Sequence, residues 1–513
     1  MKSVVTSAQM RCMDQMTVES YLIPGVILME NAGRGVAQLI WDLYSQQVFQ
    51  VVIFCGKGNN GGDGFVIARH LRQAGLYVDV VLVGKKTEVK GDAQINLAIV
   101  EKMGIPLIEL TDSNLLNEVS CGDLIVDAVL GTGITGPVRG LASDVIEFIN
   151  QCPVPVVSVD IPSGLNSDTG HFEGVCVQAT QTATMAALKR GLLLPPGRLM
   201  AGEVTVIDIS MPEAVHEAIP DLCHLLEPDD VLCRLPDRPV DGHKGTFGKV
   251  GVVAGSRGMT GAATLSSMSA FRTGAGLVTC ACPASINGIL ETKMTEVMTR
   301  PLDETSSGTL AKAALSGILE LFQWADVAAI GPGLSMHEET ADLIRQLLQS
   351  TKIPFVLDAD GLNAFHGRMD LLKQIKTPGI LTPHVGELAR LIDQPMDVIL
   401  NYPIETARET AQLLDKIIVL KGAPSIIAEP NGGCFINSTG NSGMATGGAG
   451  DVLTGIIAGL MAQGCSPLDA AFCGVYLHGL AGDLAAEALD EHAMLADDIS
   501  QYIGNAYQAL EVL

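Results

Sequence analysis

The sequence predicts an α/β protein of two domains, and three observations carry that prediction. The chain has 513 residues, more than one hydrophobic core usually serves. It is 47% hydrophobic with only 4% aromatic residues and 56 glycines, the composition of many Val/Ile/Leu/Ala elements joined by glycine turns. Finally, apolar runs that close on Gly or polar residues alternate with helix-compatible stretches, in two separate series along the chain.

The first series is VVIFCGKG (51–58), YVDVVLVG (77–84), DLIVDAVLG (123–131) and VPVVSVDIPSG (154–164). Near-continuous apolar runs of this kind are strands buried on both faces, the mark of a parallel sheet. Residues 65–74 and 92–102 are the crossover helices that parallel strands require. EVTVIDISMP (203–212) reads as the last strand of a first domain over 1–215, and Pro220, Pro228, Pro236 and Pro239 punctuate a linker over 216–240. The second domain, 241–513, repeats the pattern with KVGVVAG (249–255), DVAAIGPG (326–333), PFVLDADG (354–361), GILTPHVGE (379–387) and IIVLKGA (417–423). The two halves do not look like copies.

With 32 Lys+Arg against 57 Asp+Glu, the net charge is −25. Such a chain has no long-range attraction for polynucleotides or for an anionic membrane surface. No apolar run reaches the roughly 18–20 residues of a membrane helix, and the start lacks a signal-peptide core. A cytoplasmic protein is expected. The 12 cysteines form no CxxC and no cluster, so neither zinc nor disulfides should organise the fold.

In open parallel sheets, ligands sit beyond the carboxyl ends of strands. That rule singles out Asn59–Asp63, Asp127, Asp160 and Ser163 in the first half, and Asp358, His384, Lys421 and Asp451 in the second. GKGNNGGDG (56–64) stands between a strand and a helix, where free N–H groups can bind an anion. It lacks both GxGxxG spacing and the Lys-Ser/Thr of a P-loop, and a tight structural turn is the alternative. Asn60, Asp127 and Ser163 offer oxygen ligands suited to a hard cation such as potassium, which leaves Asp160 free as a proton-transfer base. Each Asp taken alone could equally be a helix cap.

GNNGGDG, VDAVLGTG and SVDIPSG, with MENAGRGVA (29–37), resemble the NAD(P)H-hydrate epimerase domain over about residues 1–215. The resemblance implies a Rossmann-like three-layer sandwich that interconverts the R and S forms of a nicotinamide ring hydrated at C6. It implies substrate contact from Asn59, Asn60, Gly61, Gly62 and Asp63, and from Gly131, Thr132, Gly133, Ile134, Thr135, Gly136 and Pro137. Asp160 would be the general base, and Asn60, Asp127 and Ser163 would bind potassium.

In the second half, TGGAGDVLTG (446–455) leads into an apolar helix, where a nest of N–H groups could cradle phosphate and Asp451 could deprotonate a hydroxyl. An Asp that merely stabilises the helix dipole is the alternative. With HKGTFGKVGVVAGS (243–256), GPGLS (331–335), DADGLNAF (358–365), TPHVGELARL (382–391) and LKGAPSII (420–427), this string resembles the ADP-dependent NAD(P)H-hydrate dehydratases, a ribokinase-like α/β family, over about 225–513. The resemblance implies that ADP phosphorylates the ring hydroxyl of the S hydrate and that loss of phosphate restores NADH or NADPH. Asp451 would activate the hydroxyl. Lys421, Gly422, Ala423, Pro424 and Ser425, with Gly448, Ala449 and Gly450, would hold the nucleotide and its magnesium counter-ion. Ala262, Gly333 and His384 would line the hydrate pocket. Two positions depart from the family pattern: Ser335 where Gly is usual, and Val385 where Pro is common.

The expected protein is therefore bifunctional, with the small molecules NADHX, NADPHX and ADP as its partners, and a homo-oligomer is expected from its alanine- and glycine-rich helices. A kinase of a vitamin or sugar hydroxyl is the competing enzyme, because a GAGD site serves it equally well. A nucleotide-sensing binding protein is the competitor from another class.

Overall fold

The computed structural model describes residues 1–134 and 136–512. Thr135, expected in the substrate loop, lies outside them. The chain forms two compact units, Lys2–Leu222 and Cys223–Leu513, the latter with Met1.

In the first unit a parallel sheet is built from β1 (Gln50–Cys55), β2 (Tyr77–Val83), β3 (Leu107–Leu110), β4 (Leu124–Ala128), β5 (Val156–Val159), β6 (Gln181–Met185) and β7 (Glu203–Ile207). Their order is β3-β2-β1-β4-β5-β6-β7, with every pairing parallel. This is the Rossmann order, and the chain reverses its direction of travel across the sheet between β1 and β4. Such a switch point opens a crevice at the carboxyl ends of the strands. The helices are α1 (Ser7–Ser20), α2 (Gly25–Tyr44), α3 (Asn59–Gln73), α4 (Asp92–Lys102) and α5 (Leu141–Gln151). Alternation along β1 explains the layers. Val51, Ile53 and Cys55 pack with Ala32 and Val36 of α2, Phe65 of α3 and Leu97 of α4, whereas Val52 and Phe54 pack with Val145, Ile146 and Ile149 of α5.

The amino-terminal strand Lys2–Val5 pairs with the two-residue strand Leu188–Lys189, aligning Val5 with Lys189. Thr6 then starts α1 with a capping box: its hydroxyl accepts from Gln9 N at 3.2 Å, and Gln9 Oε1 accepts from Thr6 N at 2.9 Å. Met10 and Met13 fix the helix against Val5, Ala187 and Val215.

The second unit contains β8 (Lys249–Val253), β9 (Leu277–Pro283), β10 (Met298–Leu302), β11 (Val327–Ile330), β12 (Phe355–Leu357), β13 (Gly379–Leu381), β14 (Ile417–Leu420), β15 (Ser425–Ala428) and β16 (Cys434–Asn437). They run in the order β10-β9-β8-β11-β12-β13-β14-β15-β16, parallel as far as β14 and antiparallel after it. Four helices matter for the site: α6 (Thr260–Arg272), α7 (Val385–Ile392), α8 (Ala449–Ala462) and α9 (Pro467–Leu489). From Val452 to Ala462, α8 is buried on every side, which is why its sequence is apolar without periodicity.

Two expectations are corrected. The stretch 216–240, expected as a linker, contains the boundary between the units and carries the strand Cys223–Leu225, paired with β16, and the helix Pro228–Leu232, whose Val231 enters the second core. Pro228 opens that helix at a position whose N–H needs no partner, so the proline that suggested a linker is a helix start. The cysteines are not all reduced either, because Cys121 and Cys152 are disulfide-bonded, with Cα atoms 5.9 Å apart and a sequence separation of 31. Only the packing of α5 beside the strand order brings them together, and no local spacing announces it. Among the described residues no helix is long and apolar enough to cross a membrane.

Ser335 sits at φ +74°, in the left-handed region that a side chain penalises by roughly 1–2 kcal/mol. Replacing it with the glycine usual in the family should stabilise the second unit by roughly 0.5–1 kcal/mol after the extra entropy of an unfolded glycine is counted. The backbone bond from Ser335 N to Asp360 Oδ2, 2.8 Å, survives that change. An unchanged or lower unfolding midpoint for Ser335→Gly would contradict this account.

Candidate active sites

In the first unit, a cavity of about 1080 Å³ opens at the switch point. Its lining includes Asn59, Asn60 and Asp63 from the start of α3, and Gly131, Thr132, Gly133, Ile134, Gly136 and Pro137 from the loop after β4. Asp160 follows β5 and Lys189 stands in the short strand beyond β6, while Asp14 enters from α1. Gly61 and Gly62 stand behind this wall. A Cβ at Gly61 would fall 1.9 Å from Gly56 O, and one at Gly62 would fall 2.7 Å from the Met29 side chain, so these glycines let the strand-to-helix turn close. The first turn of α3 leaves its N–H groups free for an anion.

Asp160 takes φ +67° directly after its strand. Its Oδ1 accepts from Lys189 Nζ at 2.5 Å, Met185 N at 3.0 Å and Thr184 Oγ1 at 3.4 Å. Oδ2 has no such partner among the described residues and is the oxygen left for a ligand. Lys189 is 0% exposed and also donates to Met185 O at 2.8 Å and Thr184 Oγ1 at 3.1 Å, so its amine is fully committed. Two more carboxyls share this field. Burial pushes Asp63 well above the usual carboxylate range, with Asp160 and Asp14 adding and Lys189 opposing. Asp14 is pushed up to about 6, first because the cavity walls strip it of bulk water, then by Asp160, against the pull of Lys189. The residue is exposed and lines the cavity.

Beneath the cavity, Asp127 is fully buried and accepts from Ser163 Oγ at 2.5 Å, Ser163 N at 2.8 Å, Ser158 Oγ at 2.9 Å and Val129 N at 3.3 Å. Asn60 Nδ2 donates to Leu130 O at 3.0 Å, and Ser163 Oγ accepts from Leu130 N at 2.8 Å. The three expected potassium ligands therefore converge through Leu130. Every hydrogen-bond donor to Asp127 is neutral, and burial raises its pKa against them. A buried carboxyl beside neutral oxygens, with no cationic side chain paired to it among the described residues, fits an unhydrated monovalent cation.

In the second unit the site is assembled from the ends of five neighbouring parallel strands. Beyond β8, Ser256 Oγ donates to Gly333 O at 2.8 Å, which ties the first loop to the loop after β11. Gly333 is at φ +63°, and a Cβ there would stand 3.0 Å from the Cβ of Ala262. These two expected pocket residues are thus adjacent. Asp358 ends β12 with its carboxylate buried, accepting from Lys421 Nζ at 2.7 Å through Oδ1 and from Thr454 Oγ1 at 2.7 Å through Oδ2. Lys421, which ends β14, also meets Glu387 at 3.6 Å. Burial works against its charge, but Asp358, Glu387 and Asp451 outweigh that and raise its pKa.

His384 follows β13 and caps α7. Nδ1 accepts from Gly386 N at 3.0 Å and Glu387 N at 3.4 Å, while Glu387 Oε2 accepts from His384 N at 2.8 Å. Those acceptor bonds place the ring proton on Nε2, on a side chain that is 53% exposed. Val385 is the first residue of α7, a position that suits the family's proline equally well.

Gly448 starts α8 at φ +102°, where a Cβ would lie 2.5 Å from Leu265 Cδ1 of α6. Only glycine gives both the turn and the close approach. Gly450 lies under the Lys421 amine, its ideal Cβ position 3.2 Å from Nζ. Ala449 is buried in the core, and its carbonyl meets His478 Nε2 at 2.9 Å. Asp451 stands in the first turn and is pushed up to about 7 by burial, then by Asp358, Asp360 and Glu387, with Lys421 opposing. Gly422, Ala423 and Pro424 form the turn from β14 to β15, with a cis Ala423–Pro424 bond, and Ser425 Oγ donates to Gly422 O at 3.1 Å. The structure therefore brings Lys421 and Asp358 against the Gly448–Asp451 turn. Lys189 and Asp14 in the first unit, and Glu387 in the second, are site residues that sequence reasoning passed over.

Residues 25–191 match the family described as YjeF-related protein N-terminus, and residues 250–505 match NAD(P)H-hydrate dehydratase. The chain is 44% identical to the bifunctional NAD(P)H-hydrate repair enzyme Nnr of Moorella thermoacetica, across 99% of this chain and 97% of that protein. It is 40% identical to the Nnr of Thermofilum pendens, across 99% and 96%. Among solved structures, the ADP/ATP-dependent NAD(P)H-hydrate dehydratase from Bacillus subtilis, co-crystallized with ATP/Mg2+, is 30% identical over 56% of this chain and 99% of its own, with a TM-score of 0.48. From end to end, the chain belongs to the family of bifunctional NAD(P)H-hydrate repair enzymes.

Proposed function

We propose that the first unit interconverts the R and S hydrates of NADH and NADPH, and that the second dehydrates the S form at the expense of ADP. The observation that carries the second half is Asp451, a carboxyl pushed up to about 7 by burial in the first turn of α8, beside the backbone N–H groups of a glycine turn. As base it takes the proton of the ring hydroxyl, whose oxygen attacks the β-phosphorus of ADP; AMP leaves, and loss of phosphate from C6 with a proton from C5, which passes to water, restores the ring double bond. Gly448, Ala449 and Gly450 offer backbone N–H groups to the phosphates. The backbone from Lys421 to Ser425 holds the nucleotide, and the Lys421 amine anchors Asp358 against Gly450. Magnesium enters with the nucleotide as its counter-ion. Ala262, Gly333 and Nε2 of His384 face the hydrate.

In the first unit Asp160 Oδ2 is the proton-transfer base. The N–H groups and side chains of Asn59 to Asp63, with the loop of Gly131 to Pro137, hold the hydrate. Asn60, Asp127 and Ser163 hold potassium, which supplies the positive charge that this buried carboxylate lacks. Exposed Met396, Leu400 and Tyr402 on one segment of the second unit support a homo-oligomer, which light scattering of the purified protein tests.

The direct test mixes R and S hydrates with the protein, ADP, magnesium and potassium and follows the absorbance of the reduced cofactor. Full recovery is expected, and none would end the reading. Asp160→Asn should slow consumption of the R form by about a hundredfold or more while the S form disappears at the wild-type rate. Equal consumption of both forms would remove Asp160 from the reaction.

A further inference from the structure

We propose that Asp14 is a second acid–base group of the epimerase site, acting on the C6 oxygen from α1 while Asp160 acts from the sheet edge. The proposal rests on the epimerase reading above and extends it. Moving a hydroxyl from one face of C6 to the other takes proton transfer in both directions. As the C6–O bond breaks, the N1 lone pair forms a C6=N1 bond, and the departing oxygen takes a proton and leaves as water. A second water then adds to the opposite face, the C6=N1 pair returns to N1, and the surplus proton of that water passes to a carboxylate. One water leaves, one enters, and one proton crosses from carboxyl to carboxyl. A single base held on one wall cannot serve both faces without the ring turning over.

Asp14 is the carboxyl we assign to the second transfer. It lines the same cavity as Asp160 but belongs to a different element, held in place by the Met10 and Met13 packing of α1 and by the Val5–Lys189 register. Both Lys189 and Asp160 lie close enough to act on it electrically. The other charged groups that line the cavity are Arg11 and Glu19 on its own helix, Lys57 just before α3 and Asp63 within it, Asp92 on α4 and Arg139 before α5. Among the described residues its carboxyl has neither a hydrogen bond nor an ion pair, so nothing in the fold explains a carboxyl at this point. Asp160, tied to Lys189, and Asp14, which has no such cationic partner, are two carboxyls held in different surroundings at one cavity, the arrangement acid–base pairs need.

Asp14→Asn in the full-length protein is expected to lower conversion of the R hydrate about a hundredfold, with S-hydrate dehydration unchanged as the internal control. The inflection near pH 6 in the epimerisation rate should vanish in Asp14→Asn and move in Asp14→Glu. R-hydrate conversion within threefold of wild type, with the inflection in place, would overturn the proposal. Should Asn prevent the first unit from folding, Asp14→Glu decides, since an unmoved inflection overturns it equally. If wild-type protein itself fails to interconvert the epimers, the epimerase reading falls, and that outcome is distinct from either of these.

Discussion

Asp451→Asn is expected to cut ADP-dependent dehydration of the S hydrate by between about a hundredfold and ten-thousandfold, the usual contribution of a general base. Interconversion of the two epimers should continue at its wild-type rate, because that chemistry belongs to the other unit. In the wild type the dehydration rate should rise with pH through about 7, where the carboxyl loses its proton, and level off above it. The stability effect runs the other way. A folded-state pKa above the unfolded one means that the folded protein gains by holding the proton, so stability falls as pH rises from about 4 to about 7. The neutral amide escapes that cost, and Asp451→Asn should melt higher than wild type at pH 8. A variant that is both inactive and more stable is a strong signature of a residue kept for chemistry. A variant that dehydrates at the wild-type rate would remove Asp451 from the mechanism.

Asp358→Ala is expected to destabilise the second unit by about 3–5 kcal/mol, the cost of leaving a buried ion without its partner. The carboxylate holds Lys421 through one oxygen and Thr454 through the other, so one side chain joins the ends of β12 and β14 to α8. Its loss strands the Lys421 amine with only the longer 3.6 Å contact to Glu387. Thr454→Val removes one neutral donor and should cost about 1–2 kcal/mol. Denaturant unfolding of the full chain, following the second unit's transition, separates the two variants. Equal midpoints for Asp358→Ala and wild type would show that the pair holds nothing together.

Much of both sites could be read from the sequence because they lie where parallel strands end, and an apolar run announces its own end. Asp127, Asp160, Asp358, His384 and Lys421 all close such runs, and the structure places each of them at the carboxyl edge of a sheet. What stayed hidden depends on contacts between distant segments. Lys189 stands in a two-residue strand with no pattern, and its partner strand lies more than 180 residues earlier. Asp14 looks like any acid on an amphipathic helix until α1 is placed over the cavity. Cys121 and Cys152 meet only because α5 returns beside the strand it follows. Prolines misled over 216–240 because a proline opens a helix as readily as it ends one.

The two nitrogens of His384 do different work, and this limits how its part in binding can be tested. Removing the whole ring, as alanine does, uncaps α7 at Gly386 and Glu387 and removes the exposed Nε2–H in the same stroke. Weaker binding would then be uninterpretable. Asparagine, a short side chain that favours the start of a helix, keeps an oxygen for those backbone donors and deletes the Nε2–H, which also stands 3.5 Å from Glu387 Oε1. The pair of substitutions divides one residue into an architectural half and a recognition half: the difference between alanine and asparagine measures the cap, and the difference between asparagine and wild type measures the proposed contact with the hydrate.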